Sequence, residues 1–116
     1  MGVRILIVED EFLVALQLED DLKTLGGETV GTYGDLKSAT DAARREEFDV
    51  AVLDINLNGR LVYPLADELA ARGVPFIFVS GYSMANLPER FRAAPRIAKP
   101  YSVAALVSEV RSAVGR

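Results

Sequence analysis

The sequence predicts an α/β fold, a doubly wound parallel sheet of five strands with helices on both faces. Three observations predict it. Short runs of aliphatic and β-branched residues recur along the chain, separated by stretches long enough for a helix. Several of these runs are apolar almost throughout, as strands buried on both sides are. Glycine, proline or acidic residues bound them, and the strand–helix alternation is the pattern of a parallel sheet.

Residues 3–8 form the first run, too short for a helix and read as a buried strand. Residues 11–25 carry Leu13, Leu16, Leu18, Leu22 and Leu25, most of which fit a helical stripe that Gly26-Gly27 stops. Residues 28–33 read as the second strand, weakened by Gly31, and Asp35 caps a helix running to about Glu46. The third strand spans Asp49 to Leu53, with Asp54 at its end, and Asn56, Asn58 and Gly59 mark a loop. A helix over 61–72 has Pro64 in its first turn and ends at Gly73. Residues 74–79 read as a fourth buried strand with Pro75 near its start. Pro88 interrupts 83–94, which predicts a short or irregular helix, and Arg96 to Ala98 make a short fifth strand. Ser102 caps a last helix whose stripe is Val103, Leu106, Val107, Val110 and Val114.

The 116 residues fit one domain over 1–116, and half of them are hydrophobic, which is enough for a core. With no cysteine and no histidine, the chain has no disulfide, no thiol nucleophile and none of the commonest general base or transition-metal ligand. A net charge of −4, from 17 acidic and 13 basic residues, suits the phosphate backbone of nucleic acid poorly. The apolar runs fall far short of the ~20 residues a membrane span needs. Glu9, Asp10 and Glu11 cut off the apolar N-terminal run before it could serve as a signal peptide. The expectation is a soluble, cytoplasmic chain with neither nucleic acid nor membrane as partner.

Chemistry in an open parallel sheet collects at the carboxyl ends of the strands. Four such ends carry polar residues here: Glu9 and Asp10, Asp54, Ser80, and Lys99. Singly, each has an ordinary explanation, as a helix cap, a turn residue or a solvated charge. As an ordered set, each at its own strand end, they point to a site. Three carboxylates in one crevice repel one another unless a cation intervenes, and oxygen ligands suit Mg²⁺. Lys99 can neutralise a phosphoryl oxygen, Ser80 can donate to another, and Asp54 at the end of the central strand can act as nucleophile.

The segments Ile5 to Glu11, Val52 to Asn56, Phe78 to Tyr82 and Ala98 to Tyr101 together resemble the receiver domain of two-component response regulators, over essentially the whole chain. The resemblance implies a flavodoxin-like fold with strand order 2-1-3-4-5. It implies that Asp54 is the phosphoacceptor and that Asp10 and Asp54 ligate Mg²⁺. Asn56 would add its backbone carbonyl, Glu9 would hold a metal-bound water, and Ser80 and Lys99 would bind the phosphoryl group. The Lys99–Pro100 bond is expected to be cis.

The implied donor is a sensor histidine kinase or a histidine phosphotransfer protein. The implied role is a single-domain signalling switch with no output domain, acting in trans on a downstream protein, as a monomer or a phosphorylation-dependent dimer. Such a chain is no enzyme beyond its own phosphorylation and dephosphorylation.

Arg96 stands where many receivers carry an aromatic residue, so Tyr82 or Tyr101 is a candidate to report phosphorylation in its place. Tyr82 and Asn56 also flank the path of attacking water. The motif ending in Tyr82 resembles the Phe-Ala-Thr-Gly-Tyr subgroup of short alphaproteobacterial receivers, in which the fourth helix is reduced. Leu87, Phe91, Arg96 and Val103 are candidates for the output face or for ordinary core and rim.

Three other functions compete with this one. A phosphorylation-independent binding module would not need the complete chemical set. A small aspartate-nucleophile phosphatase of the haloacid dehalogenase type would carry an acid where Asn56 stands. A flavin or nucleotide module would carry a Gly-rich loop where Glu9 and Asp10 stand.

Overall fold

A computed structural model describes residues 2–81 and 87–115. In chain order the elements are β1 (Arg4–Val8), α1 (Phe12–Thr24), β2 (Glu28–Tyr33), α2 (Leu36–Arg45), β3 (Val50–Asp54), β4 (Asn56–Leu57), β5 (Arg60–Leu61), α3 (Tyr63–Ala71), β6 (Phe76–Ser80), β7 (Arg96–Ala98) and α4 (Val103–Ala113). The main sheet has the order β2-β1-β3-β6-β7, and every pairing in it is parallel. With the two short strands β4 and β5 set aside, this is the expected 2-1-3-4-5 arrangement.

Side chains alternate across the sheet and divide the core in two. Leu6, Val8, Ala51, Leu53 and Phe78 face α2 and α3. Ile5, Ile7, Val50, Val52, Ile77 and Val79 face α1 and α4. Burial on both sides is why the central strands read as continuous apolar runs.

The caps follow the sequence. Asp35 accepts from the Ser38 N–H at 2.8 Å, and Ser102 accepts from the Ala105 N–H at 3.1 Å. After α1, Gly26 takes a φ of 82°, while the Gly26 and Gly27 N–H groups return to the Lys23 and Leu22 carbonyls at 2.9 and 2.8 Å. That left-handed position favours glycine.

The structure corrects one expectation and sharpens two others. In α1 the buried positions are Ala15, Leu18 and Leu22, while Leu13 is 77% exposed and Leu16 45%. The leucine spacing misled because the stripe runs through a small residue, Ala15. The loop marked by Asn58 and Gly59 is a hairpin turn: both have positive φ, 53° and 89°, and β4 pairs antiparallel with β5. Asn-Gly is the dipeptide such turns favour. For Leu87 and Phe91, candidates for an output face or for ordinary core, the structure decides for the core. Phe91 stacks on Tyr63 with centroids 5.6 Å apart and meets Phe78 edge-on at 5.3 Å. Arg96 and Val103 are exposed.

Between β6 and β7 the described residues hold one turn of 3₁₀ helix, Glu89–Phe91, preceded by Pro88. This agrees with the irregular element predicted there. Among the described residues no helix is long and apolar enough to cross a membrane.

The corrected stripe of α1 predicts unequal leucines. Leu18→Ala should cost about 2–5 kcal/mol in urea unfolding, whereas Leu13→Ala should stay within about 0.5 kcal/mol of the wild type.

Candidate functional site

β1, β3, β6 and β7 all end on one edge of the sheet, and that edge forms a cleft of about 350 Å³. Asp10, Glu11, Asp54, Asn56, Lys99 and the Asn58-Gly59 turn line it. Glu9 and Asp54 are buried, and Asp10 is half-buried. One carboxylate oxygen from each of Glu9, Asp10, Glu11 and Asp54 lies within 4.8 Å of the others.

Local bonds fix these acids. The Glu9 N–H donates to the Tyr33 carbonyl at 2.9 Å, which holds the end of β1 against β2. The Glu11 N–H donates to Glu9 Oε2 at 3.0 Å. The hairpin turn serves Asp10, whose Oδ2 accepts from the Asn58 N–H at 2.9 Å. Asn56 Oδ1 accepts from the Gly59 N–H at 2.6 Å, which closes the turn.

Lys99 reaches across the sheet edge to three of the carboxylates. Its Nζ lies 2.8 Å from Glu9 Oε1, 3.0 Å from Glu11 Oε1 and 3.4 Å from Asp54 Oδ2. The contacts to Glu11 and Asp54 are aligned hydrogen bonds. The contact to Glu9 Oε1 is an ion pair by distance, but among the described residues this buried oxygen has no aligned donor.

Electrostatics follow from crowding. Burial, then the neighbouring Glu9, pushes the Asp54 carboxyl up to about 8, with Lys99 opposing. Burial alone would lower the Lys99 ammonium, but its carboxylate partners outweigh that and hold it above its ordinary value. An all-oxygen donor set, a buried carboxylate oxygen without an aligned donor among the described residues and a carboxyl raised by burial and by its acidic neighbours fit a hard divalent cation.

Not every residue singled out in the sequence joins the cleft. Ser80 is fully buried at the end of β6, and its carbonyl accepts the Lys99 N–H at 2.9 Å. Pro100 follows a cis peptide bond, as expected. Tyr101 turns away towards α1, where its hydroxyl donates to Asp21 Oδ2 at 2.9 Å; burial and this carboxylate raise the phenol above its ordinary value. Arg96 is exposed and donates to the Arg92 carbonyl at 2.7 Å. Tyr82 lies outside the described residues. Sequence reasoning missed Glu11 as a cleft residue, although it is the third acid of the run after β1. It also missed the Asn58 N–H, signalled only by the Asn-Gly pair.

The response regulator receiver domain family matches residues 5–111. The transcriptional regulatory protein PdtaR of Mycobacterium tuberculosis is 32% identical over 97% of this chain, which spans 57% of PdtaR's length. The solution structure of SdrG from Sphingomonas melonis superposes with a TM-score of 0.87 at 37% identity, covering 99% of this chain and 98% of SdrG. The receiver domain of the sensor histidine kinase PA1611 from Pseudomonas aeruginosa, solved with magnesium in its active-site cleft, gives 0.84 at 26% identity with both chains fully covered. This chain belongs to the response regulator receiver family.

Proposed function

We propose that this chain accepts a phosphoryl group on Asp54 from a phosphohistidine on a sensor kinase or phosphotransfer protein, and that the acyl phosphate switches its signalling surface. One observation carries the reading: Asp54 is buried at the end of the central strand among three other carboxylates, with the ammonium of Lys99 3.4 Å away. In transfer, a carboxylate oxygen of Asp54 bonds to phosphorus as the donor's N–P bond breaks, and the departing imidazole nitrogen keeps the electron pair.

The residues have separate tasks. Glu9, Asp10, Asp54 and Asn56 would hold Mg²⁺, with Glu9 acting through a bound water and Asn56 through its carbonyl. When bound, the cation offsets the negative charge of cleft and phosphoryl group. Lys99 neutralises a phosphoryl oxygen from the other side. The Asn58 N–H holds Asp10 in place. Ser80, buried at the end of β6, would donate its hydroxyl to a phosphoryl oxygen, which ties phosphorylation to the end of that strand. Phosphorylation thereby biases a pre-existing two-state equilibrium. The Tyr101 ring, bonded to Asp21, links the Lys99 loop to α1 and is the described candidate for reporting that change.

Intact mass after incubation with a small-molecule phosphodonor tests the central step. The wild type should gain one phosphoryl group, lose that gain without Mg²⁺, and show none as Asp54→Asn; unaltered uptake in Asp54→Asn would remove Asp54 from the role.

A second outcome follows from Asp54. Its carboxyl ionises near 3.9 when unfolded and at about 8 in the metal-free fold. Between these values the native state holds the extra proton, so stability falls as pH rises. Metal-free protein should therefore lose melting temperature from pH 5 to about 8. Asp54→Asn should flatten the decline. Mg²⁺ should raise the melting temperature more at the alkaline end than at pH 5, because protons compete with the cation for the same oxygens.

A further inference from the structure

Glu11 occupies the N-cap of α1, yet its side chain makes no capping bond to the helix. It turns instead to Lys99, 88 residues further along the chain, and accepts an aligned hydrogen bond at 3.0 Å. The Lys99 ammonium has three protons and three carboxylate neighbours: Glu9, Glu11 and Asp54. Two of its contacts, to Glu11 and Asp54, are aligned hydrogen bonds, and the third, to Glu9, is an ion pair by distance. A phosphoryl group on Asp54 brings further anionic oxygens to the same ammonium and competes with its present neighbours for it.

The three differ in what release would cost. The Glu9 side chain is 1% exposed, and a carboxylate buried there without its counter-charge carries the full cost of desolvation. Asp54 is itself the group that carries the phosphoryl. The Glu11 side chain is 61% exposed, so water replaces Lys99 as its partner at little cost.

Resting on the phosphoacceptor reading above, we infer that Glu11 is a positioning residue that parks the Lys99 ammonium at the cleft mouth and must release it when the phosphoryl group arrives. Glu11 thereby sets how strongly a phosphoryl group must pull to capture Lys99. It touches neither donor nor phosphorus in this role, and acts through Lys99.

The test is the affinity for beryllofluoride, a phosphoryl mimic, at saturating Mg²⁺, followed by amide shifts in the wild type, Glu11→Ala and Glu11→Asp. Circular dichroism checks that each variant keeps its fold. Aspartate keeps the charge but is one methylene short of the contact. Both variants should bind about twofold to fivefold more tightly than the wild type, the range an exposed ion pair carries. If Glu11→Asp matches the wild type while Glu11→Ala binds more tightly, Glu11 acts through its field and the parking contact is refuted. Equal affinity in all three, or weaker binding by Glu11→Ala, would overturn the inference as well. If the wild type binds no beryllofluoride, the phosphoacceptor reading fails first and takes this inference with it.

Discussion

A buried carboxylate at the end of the central strand governs this molecule. Asp54 is placed where the sheet leaves it almost wholly buried, and the end of β1 brings Glu9 and Asp10 beside it. Like charges so close cannot all ionise without a counter-charge. Lys99, carried in from the far side of the sheet by β7, supplies part of it. The strand order matters for this reason: β3 stands between β1 on one side and β6 and β7 on the other, so acids and base converge on one edge. The proposed metal would supply the positive charge still wanting, for the cleft and for an incoming phosphoryl group alike.

The surrounding structure keeps these charges from escaping to solvent. The Asn58-Gly59 turn points a backbone N–H at Asp10 and covers one side of the cleft. The Tyr33 carbonyl holds Glu9 through its N–H, and the Ser80 carbonyl holds Lys99 in the same way. These are main-chain bonds of the sheet and its turns, so the position of the charges is set by the fold and not by flexible side chains alone. Beneath them, Phe78 and Phe91 pack with Tyr63 and Phe76 as one aromatic cluster, which docks the irregular segment before β7 onto α3. Arg90 reinforces that docking by pairing with Asp67 at 2.7 Å while lying 4.7 Å over the Phe91 ring.

Much of this was legible in the sequence, for local reasons. Asp35 and Ser102 cap their helices because capping is decided within a few residues. The runs ending at Val8, Asp54 and Ser80 announce strands because burial on both faces leaves no polar alternation. The acids stand out because they follow those runs. What escaped depends on partners distant in the chain. Leu13 and Leu16 fit a helical stripe, and only the placement of α1 on the sheet decides that Ala15, Leu18 and Leu22 face inwards. The bonds of Lys99 to Glu11 and of Tyr101 to Asp21 span 88 and 80 residues, and no local pattern announces either. Leu87 and Phe91, near Pro88, fitted an output face and a core equally well in the sequence, and only the packing of their segment against the sheet and α3 buries them.

The account's central claim is that the acidic edge is a cation-binding phosphoacceptor cleft organised around Asp54. Amide chemical shifts during a Mg²⁺ titration test it most directly. The account predicts saturable shifts at Glu9 to Glu11, Asp54 to Gly59 and Lys99, and their loss in Asp10→Asn. Saturable shifts confined to other surfaces, or shifts at the cleft that persist unchanged in Asp10→Asn, would contradict it.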